Sequence, residues 1–258
     1  MIPLVDIHCH LLAGLDDGPR TEQDALAMCR MACEDGVAMA SATAHQSERW
    51  SSVTPDKIRD GTRKLAVSLR EQGIPLSVFP CAEVMAHPRL VESWENQDHL
   101  SVADRGKHLL IEMPDGLFVD LRETAYKLGQ LGIQPILAHA ERQSELLHEP
   151  GHVEDLIEAG CLIQVSADSV TEPATRKDAR TLKQWFKRGM VHVMGSDGHS
   201  PKRRPPRMAG AYERIAEWAG ARVADRVCST NGIAILQGMP LRIAEPLPAS
   251  SRWLSVFW

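Results

Sequence analysis

The chain has 258 residues, 43% of them apolar, and a formal net charge of -5. That length suits one α/β barrel or two small domains with a large core. The acidic balance and the absence of a long basic run argue against nucleic acid as the main partner, and no apolar run approaches the ~20 residues of a membrane span.

The first apolar run, Val5-Asp6-Ile7, leads into His8 and His10. These are residues i and i+2 of a strand and are expected on one face, with Cys9 opposite as a small buried residue. The N-terminus enters this strand directly, with no basic stretch before an apolar one, so no signal peptide is expected. Thr21, with Asp24 three residues on, resembles a capping box and opens a helix that runs to Gly36 with Ala25, Met28 and Ala32 at helical spacing. The run 40–43 leads into His45, and Thr54-Pro55-Asp56 opens a second helix that ends at Gly73. The run 76–79 leads into Glu83 and the run 109–111 into Glu112. A helix is predicted at 120–132, then a strand, Ile136-Leu137-Ala138, that leads into His139. A helix at 152–160 precedes the run 162–165, which ends at Ser166. Another at 174–189 precedes 191–194, which leads into Asp197 and His199, again read as i and i+2 of one strand face. Helices at 207–220 and 223–238 follow. From Pro240 the pattern breaks, and the chain ends Trp253-Leu254-Ser255-Val256-Phe257-Trp258. Residues 1–240 are therefore expected to form one barrel domain and 241–258 a C-terminal tail, either an aromatic partner element or a segment folded back on the body. The six cysteines include no CxxC pair and read as reduced cytosolic thiols.

Strand and helix alternate with a period of about thirty residues, the sequence form of consecutive βαβ units. In a barrel of parallel strands, the residues at the strands' carboxyl ends share one mouth. Six of the seven runs end there at a potential metal ligand. The candidates are His8, His10, Asp17, His45, Glu83, Glu112, His139, Asp197 and His199. Singly, a strand-end glutamate can be solvated and His139 can be a core histidine; convergence on one mouth argues against both. Imidazoles and carboxylates without thiolates suit Mn, Fe(II) or Zn. One catalytic zinc takes about three protein ligands and water, so nine candidates suit two or three ions with a bridging carboxylate. Ions ~3.5–4 Å apart suit phosphoryl transfer: a metal pair generates a bridging hydroxide for in-line attack on phosphorus, and another ion binds the phosphate oxygens. Arg142 follows His139 by three residues, and Arg203 and Arg204 follow His199. Guanidinium forks match phosphate oxygens, although Lys202 and Arg203 read equally well as solvated charges. Pro205-Pro206 stiffens the backbone after Arg204.

Taken in order, HxH, TxH, AE, IE, AHxER and SDxH resemble the PHP (polymerase and histidinol phosphatase) superfamily. The chain is similar within it to the manganese-dependent protein-tyrosine phosphatases of bacterial capsule and exopolysaccharide operons. The specific segments are DIHCHLLAGLDDGPR from Asp6, TAHQ from Thr43, CAEV from Cys81, LIEMP from Leu110, LAHAER from Leu137, VHVMGSDGH from Val191 and RRPPRMAGAYE from Arg203. The resemblance implies a distorted (βα)7 TIM-like barrel, the PHP fold, with its metal site at the carboxyl ends of the strands. It implies three divalent ions, Mn²⁺ first, with Fe²⁺, Zn²⁺ or Mg²⁺ as alternatives. His8, His10, Glu83 and Asp197 would hold one. Glu83, Glu112 and His139 would hold the second, with Glu83 bridging, and Asp17, His45 and His199 the third. Arg142 and Arg204 would grip the phosphate. The implied substrate is the phosphotyrosine tail of a bacterial tyrosine autokinase that controls polysaccharide export. A cytoplasmic protein with no nucleic-acid or membrane partner is expected, and homo-oligomerisation is left open. Where relatives carry basic residues after the second-strand histidine, this chain has Gln46-Ser47-Glu48-Arg49, and Asn231-Gly232 stands where a similar protein would have Asn-Pro. The alternatives are a small-molecule phosphatase of the same fold, such as histidinol-phosphate phosphatase, an amidohydrolase-like hydrolase, for which no strand-end lysine is evident, and a non-enzymatic metal scaffold.

Overall fold

The computed structural model describes residues 2–248, so the aromatic end 253–258 lies outside the described residues. Seven strands follow one another in sequence order around the molecule, each parallel to the next. They are β1 (Leu4–His10), β2 (Val37–Gln46), β3 (Ser77–Met85), β4 (His108–Glu112), β5 (Gln134–Leu137), β6 (Leu162–Ser166) and β7 (Val193–Gly195). The loop after β7 closes the ring onto β1. Asp197 N–H donates to His8 O at 2.7 Å, and His10 N–H donates to Gly198 O at 2.9 Å. The chain is thus a TIM-like seven-stranded barrel, with helices in the crossovers.

The long crossover helices form where the sequence predicts them. Thr21 caps α1 (Glu22–Glu34) by accepting from Asp24 N–H, and the buried Ala25, Met28, Cys29 and Ala32 give the helix one apolar stripe. Thr54 caps α2 (Pro55–Glu71) with Pro55 in its first turn, and Ile58, Thr62, Leu65 and Leu69 face inward. The other expected crossover helices are α4 (Arg122–Gln130), α6 (Pro150–Glu158) and α8 (Arg176–Arg188), and the expected α9 (Ala209–Ala219) follows the last strand. Their stripes pack on the outer face of the barrel, where each fully buried Leu or Ile stabilises by ~1.5–3 kcal/mol. A second, inner core fills the barrel with Val5, Ile7, Leu110, Ile136, Leu162 and Val193.

Several features depart from simple strand–helix alternation. Short helices α3 (Leu90–Glu95), α5 (Ser144–His148) and α7 (Ala167–Thr171) lie in loops. The helix predicted at 223–238 is three pieces: α10 (Ala221–Asp225), a π-helical turn (Arg226–Thr230) and α11 (Asn231–Leu236). α11 presses on the amino-terminal end of β1, so that a Cβ on Gly232 would lie 2.7 Å from Val5 Cγ1. Asn231 Nδ2 donates to His192 O at 2.7 Å, and Ile235 and Leu236 join the inner core. The Asn231-Gly232 pair is therefore a close-packing solution at the barrel floor.

β1 also slips in its pairing: Asp6 pairs with Ala40 but Cys9 with Ala42, so β1 carries one residue more than β2 between them. The extra residue reverses the alternation. Val5 and Ile7 face the inner core below the slip, and His8 and His10 face the mouth above it. Asp6 Oδ1 pins the slip by accepting from His8 N–H at 3.1 Å and Ser196 N–H at 2.9 Å. The expectation that Asp197 and His199 share a strand face is corrected. β7 stops at Gly195, and Asp197 lies beyond it with φ 52°. Beyond residue 240 the described chain folds back along the floor. Leu241 exchanges two hydrogen bonds with the Gln134 side chain, and Leu247 N–H donates to Arg188 O at 2.9 Å. No helix of the described residues is long and apolar enough to cross a membrane.

Candidate metal centre

The nine candidate ligands come from six strand ends and the loop after β1, and they meet at the barrel mouth. Glu83, near the end of β3 and 1% exposed, lies at the centre. Its Oε2 is 3.1 Å from His8 Nε2, His10 Nε2 and His45 Nδ1, and its Oε1 is 2.8 Å from His139 Nε2. Glu112 Oε1 is 3.0 Å from His45 Nδ1. Asp197 Oδ1 lies 3.5 Å from His8 Nε2, and Asp17 Oδ1 lies 3.4 and 3.5 Å from the Nε2 atoms of His45 and His199. Four groups have donor atoms within 4.8 Å of one another: His10, Asp17, His45 and His199; His8, His10 and Asp197; His8, Glu83 and His139; and His45, Glu83 and Glu112. Among the described residues these groups take in each of the nine candidates and no other side chain. Five imidazoles and four carboxylates with convergent donor atoms fit oxygen- and nitrogen-liking divalent cations.

Two mouth residues hold left-handed backbone, His139 at φ 31° and Asp197 at φ 52°. Such conformations cost ~1–3 kcal/mol each and persist only where the surroundings hold them. Gln164 Oε1 accepts from His139 N–H at 2.8 Å and lies 3.2 Å from His8 Nδ1. The 3₁₀ turn Ala140–Arg142 then carries Arg142 to the mouth. On the other side His199 N–H donates to Arg204 O at 2.9 Å, which folds the chain back. Pro206 packs so closely on Gly198 that a Cβ there would lie 2.9 Å from Pro206 Cα. Arg142 and Arg204 thus arrive from different loops, and both donate to Asp197 Oδ2. Lys202 and Arg203 are exposed.

Charges at the mouth are strongly coupled. Burial opposes the charged form of His10, but Asp16 beside it carries the imidazole up to about 9. Burial also opposes charging of His45, and hydrogen bonds to Asp17 and Glu112 override it, to about 11. His199 is held below its ordinary value by burial and by His10 beside it, and its Nδ1–H donates to Asp197 O at 2.9 Å. The bonds from His199 and His45 hold Asp17 well below the usual carboxylate range.

Asp16, Gln164, Glu141 and Trp50 are site residues that strand-end reasoning misses. Glu141 Oε1 accepts from Ser166 N–H at 3.1 Å, tying the Arg142 turn to β6. Asp16 Oδ2 lies 2.7 Å from His10 Nδ1 and accepts from His45 N–H at 2.9 Å, while Oδ1 accepts from Gly18 N–H at 3.0 Å. The adjacent Asp16-Asp17 pair was its only signal: one carboxylate faces the donor cluster and the other orients a donor. Such outer partners set metal affinity. Asp16→Asn is expected to weaken Mn²⁺ binding roughly ten- to a hundred-fold. Competition with a chelating dye would measure it, and parent affinity would show that Asp16 merely shapes the loop. Above the donors lies a cleft of ≈ 240 Å³ whose walls include Trp50, Met85, Arg142 and Arg204. The Trp50 ring is within 5° of parallel to His45, with centroids 6.5 Å apart.

The chain is similar in sequence and fold to known proteins. A family profile described as capsular polysaccharide synthesis, CpsB/CapC, matches residues 4–237. The tyrosine-protein phosphatase YwqE of Bacillus subtilis is 28% identical over 202 residues, 78% of this chain and 79% of that protein. The tyrosine-protein phosphatase CpsB of Streptococcus pneumoniae is 28% identical over 236 residues, 88% of this chain and 96% of that one. A crystal structure from a study of these two, described as unique metal-dependent tyrosine phosphatases, superposes with a TM-score of 0.88 at 25% identity, covering 96% of this chain and 100% of that one. The β-aspartyl dipeptidase of Fervidobacterium islandicum AW-1 shares the fold alone, with a TM-score of 0.57 at 13% identity.

Proposed function

The chain belongs to the CpsB/CapC family of capsular polysaccharide synthesis, and from that premise we propose how its site works. It is a metal-dependent phosphomonoesterase, a tyrosine-protein phosphatase. The observation that carries the reading is the meeting of nine metal-suited donors with two guanidiniums at one mouth. His8, His10, Glu83 and Asp197 hold one divalent ion. Glu83, Glu112 and His139 hold a second, and Asp17, His45 and His199 a third, with Mn²⁺ the expected metal. Bound ions would activate water and neutralise phosphoryl charge. The chain supplies the rest. Arg142 and Arg204, which converge on one oxygen of Asp197, present their forks to the phosphoryl oxygens as charge develops there. A phenolate leaves readily, so the reaction does not require a dedicated general acid. The substrate is phosphotyrosine on the tail of a tyrosine autokinase of polysaccharide export, a reading supported by the family's description. Six free thiols support a reducing, cytoplasmic setting.

The test is hydrolysis by the Mn²⁺-loaded protein of a phosphotyrosine peptide, a phosphoserine peptide and histidinol phosphate. Preference for the first is expected; preference for histidinol phosphate would overturn the protein-phosphatase reading. A second expected result isolates the phosphate grip. Arg204→Lys keeps the charge and loses the planar fork. Loss of one charge-assisted contact of ~2–3 kcal/mol would lower kcat/KM roughly thirty- to a hundred-fold with metal content intact. Parent efficiency on both peptide and p-nitrophenyl phosphate would remove Arg204 from the phosphate site.

A further inference from the structure

The cleft above the donors does not end at its rim. Ser47, Arg49, Trp50 and Met85 line it and also line a second, larger groove of ≈ 770 Å³ that runs away from the mouth. The cleft, at ≈ 240 Å³, lies below the ~300–1,000 Å³ of ordinary ligand pockets. It has room for a phosphoryl group and its ring rather than for the chain that carries them. The groove has room for chain.

Its walls are fastened to one another. The buried Gln46 side chain donates to Val53 O at 3.2 Å and Asp98 O at 3.4 Å and accepts from Leu100 N–H at 3.1 Å. That one carboxamide joins the loop after β2 to the loop after α3. Ser93 Oγ lies 2.9 Å from His99 Nε2 and 3.4 Å from His87 Nε2, which steadies the far wall. The groove is therefore built into the fold. Its chemistry differs from that of the cleft. Trp50, Met85, Pro88 and Pro114 give it apolar surface. Its charges do not converge: Arg49 lies over the Trp50 ring, 5.2 Å from the centroid, and Arg89 is forked onto Glu92 at 2.7 and 2.8 Å. Glu48 and Asp98 offset them. A second anion has no clamp here. Aromatic and thioether surface with a mixed polar rim is the composition of a protein-recognition patch.

We infer that this groove holds the polypeptide segment flanking the phosphotyrosine of a protein substrate, with apolar side chains of that segment against Trp50, Met85 and Pro114. The inference rests on the tyrosine-protein phosphatase reading. It also accounts for the acidic and polar run Gln46-Ser47-Glu48: Gln46 is spent on the groove wall.

The test fills the groove without touching the cleft. Ser51 and Pro88 are exposed, line the groove and do not line the cleft. The Mn²⁺-loaded Ser51→Trp and Pro88→Trp variants would be assayed on p-nitrophenyl phosphate and on phosphotyrosine peptides of increasing length. The expected result is parent kcat/KM on p-nitrophenyl phosphate and a fall of about tenfold or more on the longer peptides, chiefly through KM. That is the size of one good interface contact, ~1.4 kcal/mol. Parent efficiency on every peptide would overturn the groove and leave the phosphatase reading intact. Equal losses on both substrate types would also overturn it, since the substitutions would then act on the cleft. A parent that turns over p-nitrophenyl phosphate but no phosphotyrosine peptide would overturn the protein-phosphatase reading, and the groove with it.

Discussion

Glu83→Ala is expected to lower kcat/KM by roughly a thousandfold or more, equivalent to ~4 kcal/mol of transition-state stabilisation, and to leave fewer metal ions per chain. One carboxyl group lies within 3.1 Å of nitrogens on His8, His10, His45 and His139, so its loss disturbs every neighbouring donor set. Burial alone would push the Glu83 carboxyl up, but His8 beside it and hydrogen bonds from His10 and His139 hold it well below the usual range. It is therefore the anion that offsets the cluster of imidazoles. Glu83→Gln separates charge from space: it keeps the volume and one acceptor oxygen but loses the charge. Metal analysis should show the same deficit in both variants. Parent stoichiometry and rate in Glu83→Ala would reduce this residue to a packing role.

Chelation is expected to abolish turnover, and Mn²⁺ is expected to restore it best among divalent ions. The sign of its pH dependence follows from the mouth. His10 and His45 are raised to about 9 and about 11 in the metal-free chain. A raised imidazole stabilises the fold fully below its ordinary value of ~6.5, and that contribution is lost as pH rises through the raised values. Metal binding needs these rings neutral. Affinity for Mn²⁺ should therefore climb as pH rises toward about 9 and on to about 11, with protons released on binding, while the metal-free fold loses stability over the same range. Calorimetric titration in buffers of different ionisation enthalpy would read both. Full turnover in excess chelator, or affinity indifferent to pH, would contradict the centre described here.

Much of this was legible in the sequence because a parallel barrel converts strand ends into a shared mouth. His45, Glu83 and Glu112 each follow an apolar run, and the barrel brings them together with no further device. Capping at Thr21 and Thr54 was equally readable, since it depends on neighbours in sequence. What escaped depends on distant partners. Nothing local to Gln164 announces that it will support both His8 and His139 across the barrel. Asp16 was hidden by Asp17, which carries the same chemistry one residue away. Asp197 reached the mouth by a left-handed turn beyond a three-residue strand rather than by strand alternation, and the backbone bond to His8 that holds it is invisible from either segment alone.

The extra residue in β1 acts as a phase shifter. Below it the strand is written in the register of the hydrophobic interior, above it in the register of the metal-binding face, and Asp6 locks the joint. Forcing β1 into one unbroken register against β2, with every residue kept, would leave the composition unchanged yet turn either the imidazoles toward the helix layer or Val5 and Ile7 out of the interior. A change of register here is thus a graver insult than the substitution of one side chain, and the first ten residues carry a constraint on phase as well as on identity.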